Sequence, residues 1–284
     1  MNNIVIACPS KFEKIKKKII KNGRKKLLVI SDFDGTLTKA FVNHKRILSL
    51  MAILRDGNYL TRDYVKKAHE LFERYHTIEK DQNVPLSKKE KLMNEWWTKH
   101  FELLIKSKLS KKELVKIAKS KKIKFRRGAM KFLDFLNKHK IPLLIFSSSG
   151  IGGDLIPMLL KSKRRYYKNI HIISNYFIWN ENGVAIDVKK PIIHVMKKDM
   201  RIIHNSPIFK SIKNRKNVIL LGDSLNDTRM IRGFAFSNLI KIGFLNEEVE
   251  KRLDDYKKKF EIIILNDVSM YHVNRFLREI INNR

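Results

Sequence analysis

KKLLVISDFDGTLT, residues 25–38, is an apolar run that ends abruptly in acid. Leu27–Ile30 is strand-sized and wholly apolar, as in a strand buried on both faces of a sheet. Asp32 and Asp34 follow at once, where the run passes into a loop. An unpaired buried carboxylate is costly, so acids in this position imply a cationic neighbour. The pattern recurs twice: IPLLIFSSS (141–149) carries Ser147, Ser148 and Ser149 past an apolar run, and NVILLGDSLND (217–227) carries Asp223 and Asp227 past another. In an open parallel sheet ligands bind at the carboxyl ends of the strands, where these groups would meet.

Outward from these runs, residues 11–22 read as a basic amphipathic helix with Phe12, Ile15, Ile19 and Ile20 on one face, ended by Gly23. Helical periodicity dominates residues 43–120, as in DYVKKAHELFERYH (63–76) and KKEKLMNEWWTKHFELLIK (88–106). Breaks fall at Asp56-Gly57 and around Pro85, and Ser87 with Glu90 fits a capping box. After residue 125 helix and strand alternate, with helices over 128–139 and Asp154–Lys161 and strands at Leu143–Phe146, near Ile170–Ser174, near Val184–Asp187 and at Val218–Leu221. That alternation predicts a parallel sheet covered by helices on both faces. The expected organisation is an α/β core over residues 1–42 and 122–284, with a helical segment over 43–121 inserted after the first strand.

Among 284 residues, 43% are hydrophobic, enough for a sizeable core. The single cysteine, Cys8, excludes an intramolecular disulfide and a cysteine-rich metal cage, and fits a reducing compartment. No stretch is long and apolar enough to span a bilayer, and the N-terminal residues lack the order of a signal peptide, so a soluble cytoplasmic protein is expected. The formal charge of +33 would draw polyanions, which keeps a nucleic-acid-binding module open as a rival reading. Against it, the lysines are spread along the whole chain, and no basic block alternates with aromatics as a nucleic-acid groove would.

Oxygen ligands without a His or Cys cluster suit Mg²⁺, which would offset the repulsion among Asp32, Asp34 and Asp223 and polarise a bound phosphate. Asp is an established covalent nucleophile for phosphoryl groups, and a second acid nearby can protonate a leaving alcohol and then deprotonate water. His194 reads more readily as a structural histidine than as a ligand. Trp96 and Trp97 are adjacent, so on a helix they point in different directions and one belongs in the core.

DFDGT, a Ser at a strand end, a downstream Lys and GDSLND resemble, in that order, the four signatures of the haloacid dehalogenase superfamily, and the second Asp points to its phosphatases. The likeness extends to the cytosolic pyrimidine 5′-nucleotidase family over nearly the whole chain, through YHTIEKD (75–81), NEWWTKH (94–100), IPLLIFSSSGIGGD (141–154), SNYFIWNENGV (174–184), IIHVMKKD (192–199), VILLGDSLNDTRM (218–230) and IKIGFLNEEVE (240–250). The resemblance implies a Rossmann-like parallel-sheet core with an inserted helical cap. It implies Asp32 as nucleophile and Asp34 as acid/base, with Mg²⁺ held by Asp32, the carbonyl of Asp34 and Asp223, and supported by Asp227. Ser147 and Lys198 would hold the phosphate, Glu79 would hydrogen-bond the base and Trp97 would stack beside it. The implied partner is a small nucleoside 5′-monophosphate acted on by a monomer, with no membrane and no specific nucleic acid involved.

The chain departs from the family in places. Gly35 stands where Met is common, and the loop Ser147–Gly150 is longer than the family's Ser-Ala-Gly, which makes Ser148 a second candidate for the phosphate. ILSLMAI (47–53) replaces a cysteine-rich segment, and Met51 lies where the base pocket would hold an aromatic or polar side chain. A pyrimidine such as that of CMP or UMP is the first expectation. Glu95–Trp97 resembles the branch that accepts 7-methylguanosine monophosphate, whose cationic base favours an aromatic face, and that substrate is the second. Another small ester, phosphoserine or a sugar phosphate, would use the same chemistry.

Overall fold

The computed structural model describes residues 3–81 and 83–282. The chain opens with β1 (Ile4–Ile6), α1 (Pro9–Asn22) and β2 (Leu27–Asp32). A small ribbon, β3 (Phe41–Val42) and β4 (Lys45–Arg46), leads into α2 (Leu50–Asp56), α3 (Arg62–Lys80), α4 (Leu86–Lys106) and α5 (Lys111–Lys119). Then come α6 (Ala129–Lys138), β5 (Leu143–Phe146), α7 (Gly152–Ser162), β6 (Ile170–Ile173) and a hairpin of β7 (Phe177–Trp179) with β8 (Ala185–Val188). α8 (Pro207–Ile212), β9 (Asn217–Gly222), β10 (Asn238–Leu245), α9 (Val249–Lys259), β11 (Ile262–Leu265) and α10 (Tyr271–Asn282) complete it.

The main sheet has seven strands in the order β1-β11-β10-β9-β2-β5-β6, parallel except for β1, which runs antiparallel to β11. β2, β5 and β9 are buried along their whole length, which explains their unbroken apolar runs. β2 lies between β9 and β5, with Asp32 level with Phe146 and Ser31 level with Leu221. The residues just past these positions, Ser147 and Asp223, therefore emerge at the same edge as Asp32. One apolar cluster packs α1, α6, α7 and α10 residues on one face of the sheet, and a second packs Met200, Ile203, Ile212 and Met230 on the other.

α2 to α5 fall between β2 and β5 in the chain, as the periodicity predicts. They do more than hang from two linkers. α5 packs on α7, and α4 packs on β8 and on the Val195–Lys197 turn. The Ala185 amide donates to the Leu109 carbonyl at 2.8 Å, and Lys197 pairs with Glu90 at 3.5 Å.

α1 ends at Gly23 as expected, with φ +72° and its amide bonded to the Ile19 and Ile20 carbonyls. Two expectations are corrected. Ser87 caps nothing, because Pro85, with φ −53°, stands at the cap position and the helix has begun by Leu86. Capping boxes occur instead at Ser110 with Glu113 and at Ser224 with Asp227. The strand near Val184–Asp187 is not in the parallel sheet: the turn at Asn180–Gly183, with Gly183 at φ +71°, folds it back on β7. No helix among the described residues is long and apolar enough to cross a membrane.

Candidate active site

Three strand ends converge at the carboxyl edge of the sheet. Carboxylate oxygens of Asp32, Asp223 and Asp227 lie within 4.8 Å of one another. Lys198, only 6% exposed, donates through Nζ to Asp32 Oδ1 and, at 2.7 Å, to Asp227 Oδ1. The other oxygen of Asp227 accepts the amides of Asp223 and Ser224 at 3.1 and 2.9 Å, so both of its oxygens are occupied by the chain. Asp227 thus shapes the turn that presents Asp223. Tyr256, buried under the same turn, donates its hydroxyl to the Asp223 carbonyl.

The electrostatics follow from burial. Desolvation, with the charge of Asp227 adding to it, raises Asp32 to about 6 even though Lys198 opposes the shift. Desolvation and then the neighbouring Asp32 raise Asp34 to about 7. Desolvation and then Asp32 and Asp227 lift Asp223 well above the carboxylate range. Burial opposes the Lys198 ammonium, but Asp227 and Asp32 outweigh it and hold its pKa above the ordinary lysine value. Asp32 and Asp223, disfavoured in their ionised form and meeting Asp227 with oxygen donors alone, fit a hard divalent cation. The carboxylate of Asp34 is not in this cluster, which leaves its carbonyl as the expected contact.

Ser147 is buried at the end of β5, and its Oγ accepts the Ser149 amide at 3.2 Å. Its hydroxyl proton is left to donate elsewhere. Ser148 is half-buried and its carbonyl accepts from Asn175 Nδ2 at 3.4 Å. Asn175 also donates to the Ser149 carbonyl at 3.2 Å and pairs with the Ile193 backbone, donating to its carbonyl and accepting its amide, each at 2.8 Å. It joins the serine loop to the segment that carries Lys198. Sequence reasoning assigned it no role, although it lies inside SNYFIWNENGV.

α4 reaches this loop through an aromatic face. A Cβ on Gly150 would lie 2.7 Å from Trp97 Cζ3, 3.0 Å from Phe101 Cε1 and 3.2 Å from Met51 Sδ, so only glycine lets these side chains close on the loop. Trp97 is half-buried and stacks on His100 at 5.8 Å; Trp96 is the core member of the pair, buried against Tyr75, but the two indoles do not diverge as their spacing predicts and stack on each other at 6.0 Å. Burial pushes His100 down to about 4, so the ring beside Trp97 is neutral near pH 7. Glu79 pairs with His76 at 3.1 Å on α3, one helical turn after Tyr75, and touches none of the acids above. His194 is fully buried and its Nδ1 accepts the Met196 amide at 3.3 Å, the structural role expected of it.

The chain is similar to known proteins over nearly its whole length. The family model described as pyrimidine 5′-nucleotidase (UMPH-1) matches residues 35–281, beginning just past Asp34. A protein of Gallus gallus named 7-methylguanosine phosphate-specific 5′-nucleotidase is 33% identical over 281 residues, covering 99% of this chain and 96% of its own length. The Homo sapiens protein of the same name is 34% identical over 279 residues, covering 98% of this chain and 92% of its own length. Among solved structures, cytosolic 5′-nucleotidase IIIB bound to cytidine superposes with a TM-score of 0.88 at 26% identity, over 100% of this chain and 95% of that one. A phosphoserine phosphatase in the form of a phospho-aspartyl intermediate analogue superposes at 0.50 with 16% identity, over 88% of this chain and 97% of that one, a likeness of fold alone.

Proposed function

Because the chain belongs to the pyrimidine 5′-nucleotidase family and is a phosphoric monoester hydrolase of the 5′-nucleotidase kind, we propose that it cleaves nucleoside 5′-monophosphates at Asp32 through an aspartyl-phosphate. The observation that carries this reading is the meeting of Asp32, Asp223 and Asp227 around Lys198 at one sheet edge. A carboxylate oxygen of Asp32 attacks phosphorus, the bond from phosphorus to the 5′ oxygen breaks, and Asp34 gives that oxygen its proton. Asp34 then takes a proton from water, which attacks the same phosphorus and releases Asp32 and inorganic phosphate. Asp34, raised to about 7, is suited to both transfers near neutral pH. Mg²⁺ held by Asp32, Asp223 and the Asp34 carbonyl, with Asp227 behind, would favour ionised Asp32 and polarise the phosphate. Lys198 neutralises charge on the transferring group.

Ser147 is assigned the phosphate contact in preference to Ser148, because its Oγ already accepts the Ser149 amide and its proton is free to donate. Ser147→Ala is expected to lower kcat/KM about 10²-fold and Ser148→Ala by less than about threefold. Phosphate-release kinetics on both variants decide it, and the reverse order would transfer the role to Ser148.

Helices α2 to α5, within residues 43–121, act as the cap that chooses the base, with Trp97 as the aromatic face and Glu79 as the polar group. The names of the vertebrate relatives support 7-methylguanosine monophosphate, and the cytidine-bound neighbour supports CMP. A cationic base suits Trp97 with a neutral His100 beside it, so 7-methylguanosine monophosphate is placed ahead of the pyrimidine nucleotides. The protein works as a cytoplasmic monomer on this small substrate. The test is a phosphate-release screen over CMP, UMP, AMP, GMP, 7-methylguanosine monophosphate and phosphoserine, with and without Mg²⁺. Turnover of 7-methylguanosine monophosphate and CMP at least about tenfold above AMP and GMP is expected. Phosphoserine outpacing every nucleotide would overturn the substrate class.

A further inference from the structure

Arg126 lies outside the acidic cluster, 1% exposed, at the point where the chain returns from the helices to the core. Arginine is almost never buried so completely unless it is paired. Its partner is Asp267, at 2.9 Å from Nη1. Three backbone carbonyls and one side-chain amide take the rest of the guanidinium. Nε donates to the Thr36 carbonyl at 2.9 Å, Nη2 donates to the Gly35 carbonyl, and Nη1 donates to the Val268 carbonyl at 2.7 Å. Asn246 accepts from Nη2 at 3.0 Å and returns its own amide to the Gly35 carbonyl at 3.0 Å. The cation also lies 4.3 Å from the centre of the Phe244 ring.

Gly35 and Thr36 form the turn directly after Asp34. At Gly35 the fit is tight: φ is +74°, and an added Cβ would stand 2.3 Å from Asp223 Oδ2. A movement of this peptide is therefore felt at once by Asp223. Asp267, for its part, accepts the amides of Ala40 and Phe41, each at 3.0 Å, where the chain leaves the core for the helices. The outgoing and returning segments pair directly, with Lys39 donating to the Lys124 carbonyl and Arg126 donating to the Leu37 carbonyl, each at 2.8 Å.

We infer that Arg126, locked to Asp267, is a positioning residue: it holds the turn that carries Asp32 and Asp34 against Asp223 and ties that turn to both chain crossings between the core and the helices. The inference rests on the phosphotransfer at Asp32 proposed above. Arginine is needed because its planar fork reaches carbonyls in different directions, whereas the lysine ammonium is a single point.

Arg126→Lys keeps the charge and removes the fork. With 7-methylguanosine monophosphate, CMP and the small ester 4-nitrophenyl phosphate as substrates, kcat is expected to fall about 10- to 100-fold while KM stays within about threefold. Calorimetric titration of the substrate-free protein with Mg²⁺ alone should show affinity weakened about tenfold. A merely structural role would reduce the folded fraction and leave kcat per folded molecule and Mg²⁺ affinity unchanged. Wild-type kcat and Mg²⁺ affinity in folded Arg126→Lys would overturn the inference. Should Arg126→Lys not fold, Asp267→Asn, which keeps shape and removes the charge, decides by the same two measurements. Failure of the wild-type protein itself to release phosphate from any of the three esters would instead overturn the underlying phosphotransfer, and the inference with it.

Discussion

Asp32→Asn is expected to lower phosphate release by about 10⁴-fold or more while the protein stays folded. The amide matches the carboxylate in shape but does not attack phosphorus, so no aspartyl-phosphate forms. The fold should tolerate the change because Lys198 keeps its 2.7 Å bond to Asp227. Removing a charge that burial and Asp227 already disfavour relieves repulsion in the cluster. Thermal unfolding of the cation-free variant should therefore come at or above the wild-type temperature. Retention of more than about a hundredth of wild-type turnover would place the nucleophile elsewhere.

Chelation of divalent cations is expected to stop turnover, and added Mg²⁺ to restore it, with a change in stability whose pH dependence has a definite sign. In the folded chain Asp32 titrates at about 6 and Asp34 at about 7, each raised from an ordinary 3.8. Between those values the folded protein holds more protons than the unfolded one. Stability of the cation-free protein then falls as pH rises through this window. A bound cation favours ionised Asp32, so the gain in Tm from Mg²⁺ should be larger near about pH 7.5 than near about pH 5. Turnover that survives a chelator, or a Tm gain larger at the lower pH, would contradict the assigned cation site.

The strands that matter most were legible because each is buried on both faces and so is apolar throughout, as in Leu27–Ile30 and Val218–Leu221. The outer strands were harder to read. β1 has three residues and runs antiparallel at the sheet edge, and β8 turns away into a hairpin whose signal is the Asn180–Gly183 turn. The capping box expected at Ser87 was displaced by Pro85, which starts the helix without a side-chain cap. Around the site, the carboxylates announced themselves because acid directly after buried apolar residues demands compensation. Asn175, Tyr256 and Arg126 gave no such warning. Each acts through a bond to a backbone carbonyl far away in the chain, and any carbonyl looks the same in sequence.

The order of residues by itself determined the parallel α/β core, the helical segment within it, and the acids and serines that follow the buried strands, because burial and strand polarity act on local pattern; Lys198, which follows a short turn, was marked only by the family resemblance. Tertiary structure alone decided that Lys198 spans Asp32 and Asp227, that Trp97 rests on Gly150, and that a buried Arg126 grips the turn after Asp34. These depend on distances between segments up to 166 residues apart, from Asp32 to Lys198, and such distances exist only once strand order and register have closed the sheet.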